Sequence, residues 1–166
     1  MHRISFWFDL AGLLLLVLLW VTAFVFIPGL PERIAVHFDA SGRPDGFGQS
    51  AIAWSLPVVS SVLFVMLAVV GRNPGWLNYP VKITLENSGY QYALAANLLR
   101  LLNAILQGIF LGLLWITIES SHGNAPVWAP WLLWLSVSGV LLPLFIYIWM
   151  AVGNRSDSDT EQTPVQ

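Results

Sequence analysis

The chain has 166 residues, of which 57% are hydrophobic and only 10% charged, with a net charge of −2 and no cysteine. Soluble domains carry roughly 25% charged residues, so the composition excludes that class and points to an integral membrane protein. The missing cysteines exclude disulfides, thiolate metal sites and cysteine nucleophiles, and neither a basic patch nor a phosphate-binding loop marks a nucleic-acid or nucleotide site.

A helical span needs about 20 largely apolar residues, and four segments qualify: about 10–28, 51–71, 93–118 and 127–152. Helices are expected because open strands cannot satisfy their backbone groups in lipid. The chain therefore reads as an all-α integral membrane protein, with a four-helix domain over 1–153 and a polar tail over 154–166. The first apolar run, Leu10 to Ile27, exceeds the roughly 7–15 residues of a signal-peptide core, and no small-x-small cleavage motif precedes Pro28-Gly29-Leu30-Pro31. It is read as a retained anchor.

The loop over 29–50 gathers one of three histidines, three of nine acidic residues and three glycines between Leu30 and Gly48. Ile34, Val36 and Phe38 alternate with Ala35, His37 and Asp39, the period of a short strand. Gly42 can supply a positive φ, Pro44 pre-sets a turn, and Asp45-Gly46 is a turn or hairpin signal. His37 and Asp39 would share one strand face, and a folded-back chain would bring Asp45 toward them. Nitrogen and oxygen donors of this kind suit zinc or another divalent ion, which makes His37, Asp39 and Asp45 weak metal candidates. The favoured reading is a shaped loop: His37 bonded to Asp39 or the backbone, Asp45 a turn residue, and Glu32 and Arg33 solvated. Histidine also offers a pH-sensitive group.

After the second span, Asn73-Pro74-Gly75 breaks the chain, and Trp76-Leu77-Asn78-Tyr79-Pro80 suits a segment lying at a membrane surface. Thr84 or Asn87 is a plausible N-cap for the third helix. Along that helix Asn97, Arg100, Asn103 and Gln107 fall within one arc of roughly 120°. An arginine at the centre of a span costs about 2.5–3.5 kcal/mol on insertion scales, so the stripe faces protein, headgroups or a polar cavity. The favoured reading has Arg100 reaching inner headgroups while the amides bond to neighbouring helices; the alternative has the stripe contacting an ion or solute. Ala104, Gly108 and Gly112 form a small-residue face for close packing, within the chain or between copies.

Of nine tryptophans, Trp54, Trp128, Trp131 and Trp149 fall near span ends, where indole rings settle at the headgroup level. Trp20 and Trp134 lie deeper and are read as packing residues. The acidic tail is expected to be disordered. With both termini cytoplasmic, the inner side holds Arg3, Arg72, Lys82 and Arg155, and Arg100 if it reaches that surface, while the outer side holds Arg33 and Arg43. The asymmetry favours this orientation in the cytoplasmic membrane. It turns loop 29–50 and the short loop Glu119 to Pro126 outward.

The motif Leu30-Pro31, Ile34, His37-Phe38 and Gly42-x-Pro44-Asp45-Gly46-Phe47-Gly48 resembles the bacterial membrane domain of unknown function 1648. That domain forms the N-terminal part of the SdpI-type immunity proteins. Asn78-Tyr79-Pro80 and the stretch from Glu86-Asn87 to Gln91-Tyr92 are similar to the family's region before its third helix. Ala35 stands where the family usually has proline, Asp39 where asparagine is common and Phe47 where tryptophan is usual. Gln49-Ser50 lacks a lysine often found there, and the immunity proteins carry further C-terminal helices. The resemblance implies protection from, or sensing of, a secreted peptide toxin, without enzymatic activity.

The leading expectation is thus a non-enzymatic membrane protein with no catalytic residue and no cofactor. His37, Asp39, Gly42, Pro44, Asp45 and Gly46 would shape a ligand loop, and Asn97, Arg100, Asn103 and Gln107 would form the intramembrane polar element. The partners expected are the bilayer, an extracellular peptide or membrane protein, and a second copy of the chain. The alternative is a transporter or channel subunit using the Arg100 stripe. A metal-dependent hydrolase would need a motif such as HExxH or GxSxG, and the sequence has neither.

Overall fold

The computed structural model describes residues 2–153, so the tail and Arg155 lie outside the described residues. Four helices dominate: α1 (His2–Phe26), α2 (Ser55–Arg72), α3 (Ser88–Ser121) and α4 (Ala129–Gly153). All four are long and apolar enough to cross a membrane, and the protein has the architecture of a multi-pass membrane protein. Helix α1 starts well before its expected span and α3 extends past its span at both ends, whereas α2 and α4 begin later than expected, at Ser55 and Ala129. The 34 residues of α3 reach about 50 Å at 1.5 Å per residue, well beyond the roughly 30 Å of hydrocarbon.

Helix α3 is central, with α1, α2 and α4 each packed chiefly against it. Small residues permit the closest approach. A Cβ added at Gly12 on α1 would lie 3.5 Å from the Ala104 backbone, and one at Gly112 would lie 3.0 Å from Leu132 on α4. The small-residue face is therefore used within the chain. Serine and glutamine tie the remaining contacts, as in Trp20 Nε1 donating to Ser61 Oγ at 2.9 Å and Gln91 Nε2 donating to the Ala151 carbonyl at 3.0 Å. Trp20 also stacks on Phe24. Trp134 behaves otherwise than expected, being 63% exposed, because α4 packs chiefly against one helix, α3.

The start of α3 is fixed by a reciprocal cap. Thr84 N–H donates to Asn87 Oδ1 at 2.8 Å, and Asn87 N–H donates to Thr84 Oγ1 at 3.3 Å. This is the logic of a capping box, with asparagine in the place of glutamate. In the preceding connection, a single turn over Pro74–Trp76 leaves Trp76 exposed, and Tyr79 donates its hydroxyl to the Pro74 carbonyl at 2.8 Å. Burial, with Tyr147 and Tyr92 nearby, pushes the Tyr79 phenol up to about 12.

Between α1 and α2 a two-stranded antiparallel hairpin, β1 (Arg33–Phe38) and β2 (Pro44–Gln49), covers one end of the bundle. Beneath it lies the core formed by Leu19 and Ala23 of α1, Ile27 just after it, Ala53 before α2, and Leu114 and Ile118 of α3. Ile34 of β1 completes this cluster and is 1% exposed. Hydrophobic burial therefore seats the hairpin on the helices.

Candidate functional site

The polar residues picked out by sequence divide between the hairpin and the α3 stripe. In the hairpin, Arg33 pairs with Gln49, Ile34 with Gly48, Ala35 with Phe47, His37 with Gly46 and Phe38 with Pro44. Val36 and Asp45 are thus the unmatched residues, each the extra member of a bulge. The bulge at Val36 breaks the expected alternation, so that Ile34 and Ala35 are both buried while Val36 is exposed.

The turn itself lies over Asp39 to Arg43, and not at Asp45-Gly46, which sit inside β2. Gly42 adopts φ 74°, the left-handed region that glycine enters without penalty. A Cβ there would stand 2.8 Å from Pro130 N, so the turn touches the first residues of α4. Gly46 has a different task. A Cβ there would meet His37 Cβ at 2.8 Å, so the glycine makes room for the histidine across the ladder.

Asp39 and Asp45 do separate jobs. Asp39 Oδ1 accepts from Ser41 N–H at 2.8 Å, Ser41 Oγ at 2.6 Å and Arg43 N–H at 2.9 Å. Those bonds, led by the Ser41 hydroxyl, hold its carboxyl below the usual value of 3.8. The partner of His37 is Asp45, through Nδ1 and Oδ1, and not Asp39, whose Oδ1 is taken up by its own turn. The three side chains therefore do not converge as a ligand set. Among the described residues, no group of three histidine, aspartate or glutamate side chains is placed to hold a metal ion.

Beside the hairpin a cleft of about 500 Å³ opens between β1, the turn, α3 and α4. His37, Asp39 and Gly42 line its hairpin side, and Ile109, Leu113 and Ile116 of α3 face Leu132, Leu133 and Ser136 of α4. The lining is largely apolar with a few polar groups at one end, the usual character of a ligand site. The apolar wall was legible only as lipid-facing helix; its role depends on which helices the hairpin bridges.

At the other end of the bundle the α3 stripe is consumed by helix contacts. Asn97 Oδ1 accepts from Ser5 Oγ at 2.8 Å and from Arg100 Nη1 at 3.4 Å. Arg100 Nε lies 3.3 Å from Asp9 Oδ2 on α1, so its partner is a carboxylate on a neighbouring helix. Asn103 donates to the Phe64 carbonyl at 3.2 Å and accepts from Gln107 at 3.1 Å, and Gln107 Oε1 accepts from Ser60 Oγ on α2. Asn103 and Gln107 are buried. Ser5, Asp9, Ser60 and Gln91 complete this framework and are not evident from the sequence stripe. Asp9 is the one acidic residue before Glu32, and Ser60-Ser61 is a polar pair within an apolar span, which are the signals available for them.

Residues 14–60 match the family model described as domain of unknown function DUF1648. The matched segment runs over the C-terminal half of α1, the hairpin and the first residues of α2. An uncharacterized protein of Archaeoglobus fulgidus is 27% identical over 160 residues, covering 87% of each chain. No solved structure matches the chain. The DUF1648 segment thus contains the hairpin and much of its apolar seat, whereas the α3 and α4 wall of the cleft lies outside it.

Proposed function

We propose that this is a non-enzymatic recognition protein whose hairpin and adjoining cleft take up an extracellular peptide, in the manner of toxin immunity or peptide sensing. The cleft of about 500 Å³ between the hairpin, α3 and α4 carries this reading. Its volume lies within the roughly 300–1,000 Å³ of small-ligand sites, and at its mouth Gly42 packs against Ala129 and Pro130. The likeness of the hairpin motif to SdpI-type immunity proteins supports the peptide as ligand. The Lys and Arg asymmetry between loops supports a cytoplasmic-membrane placement with both termini inside and the hairpin outside.

A transporter or channel subunit using Arg100 is the competing reading. The stripe weighs against it, since its hydrogen-bonding groups are engaged with α1 and α2. A flux in liposomes that disappears in Arg100→Ala would restore it.

His37 and Asp45 provide the test. Their side chains are 72% and 46% exposed, and exposed pairs add little to stability, so changing them leaves membrane levels intact. Expression in sensitive bacteria challenged with a panel of secreted membrane-active peptides should raise survival. His37→Ala or Asp45→Ala should lower both survival and direct peptide binding. Equal survival and binding in wild type and variants would remove the proposal.

A further inference from the structure

The cleft has a chemical asymmetry that narrows its ligand. Its deeper walls are apolar, with Leu113 and Ile116 on α3 opposite Leu132 and Leu133 on α4, while Asp39 is the acidic residue on its hairpin side. All three hydrogen bonds to the Asp39 side chain fall on Oδ1. Oδ2 takes no part in holding the turn. The turn therefore fixes the position of a carboxylate, with the Arg43 charge acting on it, and leaves Oδ2 outside the turn's hydrogen bonds. A charged acceptor makes its stronger hydrogen bonds with charged donors, and arginine and lysine are the protein groups that offer them.

We infer that the cleft is selective for a cationic amphiphile: an apolar body lying between α3 and α4 with an ammonium or guanidinium group at Asp39 Oδ2. A lysine- or arginine-bearing apolar peptide segment has this chemistry. The inference rests on the recognition role proposed above and names what that role selects. Charge complementarity sets the direction of entry, since the cation needs water and the carboxylate at the hairpin end while the body needs the apolar wall. Neither an anionic amphiphile nor an uncharged one satisfies both ends, and an anionic one places two like charges together.

Two photoreactive probes decide it, a dodecylammonium and a dodecanoate carrying the same diazirine, applied to the full protein in phosphatidylcholine nanodiscs. Labelling of cleft peptides is mapped by mass spectrometry and normalised to the exposed face of α1 around Phe24 and Val25. The ammonium probe should label the cleft about threefold more than the carboxylate probe, the scale of an exposed ion pair. Asp39→Asn retains an Oδ1 acceptor for the turn, removes the charge, and should bring the two probes to parity. Cleft labelling that ignores probe charge in the wild type would overturn the selectivity and leave the recognition role standing. An ammonium preference that survives Asp39→Asn would overturn the assignment to Asp39. Labelling by neither probe above the α1 reference would overturn both the inference and the recognition role.

Discussion

Within the hairpin, Asp39 and His37 bond to partners two to eight residues away, whereas the α3 stripe reaches Phe64, Ser60 and Ser5 across 39, 47 and 92 residues. The residue types are similar and the surroundings are not. A polar group in water has a partner whichever way it turns, so local bonds can define a turn at little cost and still leave an oxygen open. Inside hydrocarbon an unpaired group costs several kcal/mol, so the stripe must find donors and acceptors on other helices. The hairpin's polar residues give shape to a surface; the stripe's fix which helices lie together.

The comparison breaks most sharply at Gly42, where the hairpin is held by sterics in place of polar bonding. Gly42→Val forces a β-branched residue into φ 74° and places a Cβ within 2.8 Å of Pro130 N. Backbone strain of about 1–3 kcal/mol adds to overpacking of similar size, so a loss of about 3 kcal/mol is expected in detergent-titration unfolding, with faster hydrogen exchange in β1. Gly29→Ala is the control, because a Cβ at Gly29 meets nothing within 4 Å. A Gly42→Val protein as stable as the control would show that the turn does not depend on its seat against α4.

A smaller effect is expected in the stripe. Gln107→Leu removes the acceptor of Ser60 and the donor to Asn103 at a buried position. Interhelical hydrogen bonds in membranes average about 0.6 kcal/mol and reach about 1.7, so a loss of about 1–2 kcal/mol is expected. A double-mutant cycle with Ser60→Ala should give a coupling of about 0.5 kcal/mol or more. Additive losses would mean that the two groups do not stabilise the α2–α3 contact jointly.

The same contrast explains what could be read from the chain. Spans, loop and stripe follow from local rules: apolar run length, strand alternation and helical period. The residues that escaped them depend on tertiary contact. Asp9 becomes Arg100's partner only because α1 crosses α3 beside it, and Gly46 serves His37 across the ladder only after the bulges set the register. Asp45-Gly46 reads as a turn, and Asp39 to Gly42 wins because Asp39 can accept three bonds within four residues while Gly42 supplies the left-handed step. The cleft had no local signature at all. Its walls are ordinary span residues, and they become a site through the position of the hairpin above them.

The smallest expected effect tests the hairpin's polar network by itself. Asp39 is fully exposed, and its carboxyl is held below 3.8 by bonds from Ser41 and Arg43. A depressed folded-state pKa means that the charged form is favoured by folding. The contribution is therefore fully present above the unfolded value of about 3.9 and is lost as pH falls through the folded one. Between about pH 5 and 8 the turn should be indifferent to pH on Asp39's account. On acidification the Ser41 and Arg43 amide resonances should move together with a midpoint below 3.8, and Asp39→Asn should abolish that titration while the φ of Gly42 stays positive. A midpoint at or above 3.8 would show that the three bonds do not favour the ionised carboxylate, and the open charge at the cleft mouth would lose its support. The buried stripe offers no counterpart to this titration in Asn97, Asn103 and Gln107, which bear no ionisable group, so acid separates the two networks by a route that substitution cannot.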